Sequence, residues 1–232
     1  MRARWTGALD PVDVSSLERR LPPVLSVIAG MVDVIGFLSL GLFTAHVTGN
    51  LVVIAAQLVR GGPPRSAPIL AVPVFMMAVA AAWLMAKASD KRGPALLRPL
   101  LLVQFLLLAG VLILSVLGDP ASNPHGLIAA VTAMIAVSAM GWQFGLLRLA
   151  LTGAPSTAVM TGNLTNTVLA LLDTLSRAQP LTAGANERVK RPLAVLVGFF
   201  AGCVAGATAV SFLGDWAWSL PVVLAAAAVA LR

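Results

Sequence analysis

The sequence predicts an all-α fold: a multi-pass transmembrane helical bundle with two inverted repeats, six crossings plus two short half-helices. Three observations predict it. First, 59% of the 232 residues are hydrophobic and only 11% are charged, where a soluble domain carries about 25% charge. Second, several apolar runs reach the roughly 17–25 residues that a bilayer-spanning helix needs. Third, Thr-Gly-Asn occurs twice, as Thr48-Gly49-Asn50 and as Thr161-Gly162-Asn163. Each copy follows a long apolar run and opens a short one.

Taken in order, residues 1–21 form a polar tail read as cytoplasmic, with a helix start at Ser15-Ser16 leading to Glu18. Arg19-Arg20 precedes an apolar run that continues too long for a cleaved leader, so the run is an uncleaved first span. That span covers 24–43 and contains Asp33. A polar link over 44–50 leads to a short run over 51–59. Long runs at 67–88 and 100–117 complete a first membrane repeat, residues 22–118. The second repeat, residues 119–232, has a long run at 127–147 and a polar link to the second Thr-Gly-Asn. A short run to Leu175, a long run at 192–213 and a final run at 216–231 follow. Ala78, Ala82 and Ala86 stand four apart in one long run, as do Gly198, Gly202 and Gly206 in its counterpart. Small residues at this spacing make a helix stripe that another backbone can approach closely, within one chain or in a homodimer.

Charge selects the number of crossings. With the N-terminus inside, eight spans would leave Lys87, Lys91, Arg92, Arg98 and Arg148 outside. Six crossings leave only Arg60 and Arg65 there. The cytoplasmic bias of Lys and Arg favours six, with each short run entering as a half-helix. Residues 50–59 would be about 15 Å long at 1.5 Å per residue, half of the ~30 Å hydrocarbon core. Inverted repeats with discontinuous helices are a recurring plan of secondary transporters, with the site at the bilayer midplane. The expectation is a secondary transporter or facilitator of a small polar or anionic solute, bound between the two Thr-Gly-Asn half-helix N-termini. A passive channel and a non-transporting scaffold or accessory subunit are the alternatives.

Candidate substrate-binding or coupling residues follow from this plan. Asp33 stands mid-run, where a charged carboxylate costs about 2.5–3.5 kcal/mol on insertion scales and usually faces a cavity; its structural alternative is a paired Asp that holds a broken helix. His46 can exchange protons near neutral pH, or serve only as an interfacial hydrogen-bonding group. Thr48, Asn50, Thr161 and Asn163 can cap helix starts, while Gly49 and Gly162 permit close approach. Gln143 precedes the second Thr-Gly-Asn much as Asp33 precedes the first, and could bind solute or a neighbouring helix. Asn166 adds an amide one turn further on. His125 reads as a loop residue, and Trp216 and Trp218 as an interface anchor.

Other function classes find little support. The net charge of +7 would suggest nucleic acid in a soluble protein, but here it follows membrane topology, so no nucleic acid is expected. Cys203 is the single cysteine, which excludes an internal disulfide. No Walker loop, HExxH or GxSxG is present. Neither an enzyme, a metal nor a cofactor is expected.

Gly30-x-x-Asp33, Phe43-Thr-Ala-His-Val-Thr48-Gly49-Asn50, Ala139-Met140-Gly141-Trp142-Gln143 and Thr157-x-x-x-Thr161-Gly162 together resemble the bacterial YoaK family, a domain-of-unknown-function family. The resemblance covers roughly residues 22–230. It implies a multi-pass protein of the bacterial inner membrane, with the lipid bilayer as its partner, and no particular substrate. The family often carries Gln-Asn where this chain has Gln143-Phe144.

Overall fold

In the computed structural model, which describes residues 11–60, 66–89, 93–120, 122–123, 126–157, 159–176 and 183–230, the apolar runs become helices. They are α1 (Pro11–Leu40), α2 (Val47–Arg60), α3 (Ser66–Ala88), α4 (Leu97–Gly118), α5 (Leu127–Ala150), α6 (Met160–Ser176), α7 (Ala183–Leu213) and α8 (Ser219–Ala230). Among the described residues, five helical stretches are long and apolar enough to cross a membrane: 19–40, 67–88, 97–118, 127–150 and 187–230. The last is interrupted by a 3-10 turn at Gly214–Trp218, where Gly214 adopts positive φ and α7 gives way to α8. Large apolar side chains such as Leu38, Met76, Leu106 and Phe200 stand on the outer surface. An apolar exterior of this extent requires lipid around it. The chain is a multi-pass membrane protein.

The first helix starts earlier than the expected cap at Ser15-Ser16. Helix α1 begins at Pro11 and runs unbroken past residue 21, with Pro22 and Pro23 inside it. Residues 1–10 and His125 lie outside the described residues.

Two close helix pairs form the frame. Gly198 meets Pro23 and Val27, Gly202 meets Val27, and Gly206 meets Met31 and Ile35, so α7 and α1 run in the same direction. A Cβ at Gly30 would overlap the Phe199 carbonyl, and one at Gly202 would overlap that of Val27. The glycine stripe therefore serves an intramolecular contact. In the second pair Gly141 abuts Phe75 and Ala78, and Gly145 abuts Val79 and Ala82, so α5 and α3 are also parallel. Helix α4 lies antiparallel to α5: Trp142 Nε1–H donates to the Leu100 carbonyl at 2.8 Å at one end, and Gly118 packs on Ile128 at the other. Both close pairs join residues before position 118 to residues after it. The two halves of the sequence are interlocked rather than side by side.

The short helices also differ from expectation. Each Thr-Gly-Asn lies inside the first turns of α2 or α6, not in the break before it. The irregular segments are 41–46 and, among the described residues, 151–157 and 159. At 1.5 Å per residue, α2 with 14 residues spans about 21 Å and α6 with 17 about 26 Å, against a core of about 30 Å.

Candidate functional site at two polar chain reversals

After α1 the chain turns back. Gly41 makes the turn with φ of 72°, a conformation that only glycine adopts without strain. The following residues descend along α1 to Asp33, which lies seven residues before the helix ends at Leu40. Asp33 Oδ1 accepts the backbone N–H groups of Thr44 (2.8 Å), Ala45 (2.8 Å) and His46 (3.3 Å). Asp33 Oδ2 faces His46 Nδ1 at 2.8 Å. One carboxylate thus satisfies the backbone donors of a segment that has no helix or sheet to do so. The segment is closed from below by Asn50. Its Oδ1 accepts the Phe43 N–H at 2.8 Å, and its Nδ2 donates to the Phe43 carbonyl at 2.8 Å. Gly49 leaves room for the Phe43 ring, which stacks on Phe37.

The second reversal repeats this scheme with different chemistry. Gln143 also stands seven residues before its helix ends, at Ala150. Its Nε2 reaches Thr157 Oγ1 at 3.4 Å, where Thr157 occupies the place of Thr44 relative to the following Thr-Gly-Asn. Asn163 Nδ2 donates to the Ser156 carbonyl at 2.7 Å, and Ser156 occupies the place of Phe43. Both reversals carry Thr-Ala-x-x-Thr-Gly-Asn, at 44–50 and 157–163. The repeat is longer than the Thr-Gly-Asn core, and its leading Thr44 and Thr157, both buried, are site residues that the shorter phrase does not reveal.

The two differ in what surrounds them. Gln143 is fully enclosed: Nε2 also donates to the Leu25 carbonyl at 2.9 Å, and Oε1 accepts Gln104 Nε2 at 2.6 Å. It ties α1, α4, α5 and the reversal together. The level of Leu25 on α1 is about 12 Å from that of Asp33 at 1.5 Å per residue. The reversals therefore touch α1 at separate depths. His46 keeps 32% of its side chain exposed while Asp33 keeps 6%, and the imidazole meets Phe199 of α7 edge-on. Thr48, Thr161 and Asn166 are exposed, Gly49 and Gly162 partly so, and Asn50 and Asn163 are buried.

Two cavities adjoin the second reversal. One of about 510 Å³ is lined by Gly162, Asn163 and Asn166 together with Arg148, Arg188 and Arg191. Another, of about 320 Å³, lies among Phe75, Trp83, Phe144, Arg148 and Ser156. Neither is lined by any residue of the first reversal. The arginines come from the end of α5 and the early part of α7, about forty residues apart in sequence, so spacing alone did not mark them.

The fold and these reversals define a class: a multi-pass helical membrane protein with irregular polar backbone packed inside its bundle. Within that class, residues 21–231 match the family described as protein of unknown function (DUF1275), the YoaK-type family, and the chain belongs to it. No curated protein and no solved structure matches the chain.

Proposed function

We propose that this protein is a secondary transporter or facilitator of a small polar or anionic solute in the bacterial inner membrane, with its N-terminus cytoplasmic. The observation that carries the reading is Asp33. An ionisable side chain inside an apolar span is costly and generally marks a solute or proton path. Here it sits within hydrogen-bond distance of a partly exposed histidine, and it holds three backbone N–H groups of a non-helical segment.

In this reading the Asp33–His46 pair couples the protein to protons. Ionised Asp33 holds residues 44–46 against α1; a proton on Asp33 weakens those bonds and frees the reversal to move. Solute reaches the second Thr-Gly-Asn through the 510 Å³ cavity, where Gly162, Asn163 and Asn166 meet it. The shared build of the two reversals supports an inverted-repeat ancestry of the kind that alternating-access carriers use. Non-helical backbone at membrane depth is tolerated only where protein or a water-filled cavity covers it.

Proteoliposomes test this. Uptake of labelled small organic anions should rise with an imposed pH gradient. Asp33→Asn should abolish the gradient-dependent part at unchanged membrane abundance. Saturating uptake that ignores the gradient in both proteins would refute proton coupling.

A second reading has its own support. Asn50 and Gln143 are spent on internal hydrogen bonds, and Asp33, Thr44 and Asn50 of the first reversal are buried. A non-transporting scaffold would look like this at the first reversal. It predicts no flux for any solute and a stable heteromeric partner in mild detergent.

A further inference from the structure

The 510 Å³ cavity gathers charge of one sign. Arg148, Arg188 and Arg191 line it, against the single carboxylate of Glu187. Glu187 Oε2 is already engaged by Arg191 Nε at 3.1 Å, one turn away on α7. Among the described residues neither Arg148 nor Arg188 has an ion-pair partner. Topology accounts for arginines at this end of the bundle but not for their convergence, from two helices, on one concavity. The remaining polar lining is neutral: Ser156, the amides of Asn163 and Asn166, and the start of α6, whose first-turn N–H groups carry partial positive charge.

We infer that this cavity binds a phosphate-bearing anion, held by Arg148 and Arg188 with Arg191 and Asn166 completing the shell. Guanidinium forks match phosphate oxygens two at a time, and each always carries its charge. Three guanidiniums against one paired carboxylate call for a multiply charged guest rather than a monocarboxylate. A free phosphate compound and the headgroup of an anionic phospholipid present the same chemistry. The cavity is the one assigned above to the solute route, but equilibrium binding requires no transport, so binding and flux measurements can fail independently.

The test uses the full chain in lipid nanodiscs. In one arm inorganic phosphate is titrated calorimetrically into discs of phosphatidylcholine alone, with sodium chloride at matched ionic strength as the blank. In the other, discs contain phosphatidic acid, and lipid retained on the protein is read by native mass spectrometry. Saturable phosphate binding in the first arm assigns a free anion; retained phosphatidic acid in the second assigns a headgroup. Arg148→Gln and Arg188→Gln should each weaken whichever binding is found by about tenfold, the loss expected for one charge-assisted contact. Arg98→Gln, outside the cavity, should leave it unchanged. Glu187→Gln frees Arg191 and should tighten binding, which keeps the inference testable if an arginine variant does not fold. Absence of binding in both arms, or binding indifferent to the cavity variants, overturns it.

Discussion

The two chain reversals share one plan and diverge in one choice. Both return the chain to a polar side chain seven residues inside the preceding helix, place a buried threonine beside it, and close with an asparagine that bonds backbone seven residues back. The first uses a carboxylate and a histidine. The second uses a neutral glutamine already committed to α1 and α4. The difference separates two jobs that one motif can do. A neutral glutamine pair bonded across α1, α4 and α5 fixes helices relative to one another. A carboxylate accepting three amides can make charge-assisted bonds, which a neutral glutamine cannot.

The comparison can be broken most forcibly at its acids and amides. Asp33→Leu deprives the N–H groups of Thr44, Ala45 and His46 of their acceptor. At about 1–3 kcal/mol for each buried donor left unpaired, the variant should be lost from the membrane. Asp33→Asn keeps an oxygen acceptor and should remain abundant. Quantitative immunoblotting of membrane fractions separates these outcomes, and equal loss of both would show that the charge itself holds the fold. Gln143→Leu comes next. It strands the buried Gln104 amide and removes a second donor from the Leu25 carbonyl, which lies in the interior of α1, at a cost of about 1–3 kcal/mol by the same rule, read as a fall in detergent melting temperature. The pair Asn50→Ala and Asn163→Ala should cost less, about 1–2 kcal/mol each, as capping asparagines do. The closeness of the two values is the test of shared design; a gap of several kcal/mol between them would mean that the two loops only look alike.

Much of this was legible in the sequence, and the remainder has physical reasons for being hidden. Composition alone identified the membrane class, and the doubled Thr-Gly-Asn located both irregular regions. The glycine stripe at 198, 202 and 206 marked a close helix contact, which proves to be with α1. The phase of the break was missed because Thr and Asn can both precede a helix and open it; here Val47 and Met160 already belong to helices. The turn at Gly41 and the long-range partners of Gln143 depend on how helices stack, and periodicity carries no information about that. The arginine cavity was invisible for the same reason: in one dimension Arg148, Arg188 and Arg191 were only topology markers.

Equivalent positions in the two short helices offer the most direct measurement. Asn166 lines the large cavity beside the second reversal, and Val53 holds the matching place after the first. In a Cys203→Ser background, Val53→Cys and Asn166→Cys are treated with a charged, membrane-impermeant thiol reagent in vesicles open to both sides. Rapid modification at 166 and none at 53 is expected if water enters at only one of two otherwise matched reversals. Equal modification at both, or at neither, would contradict that account.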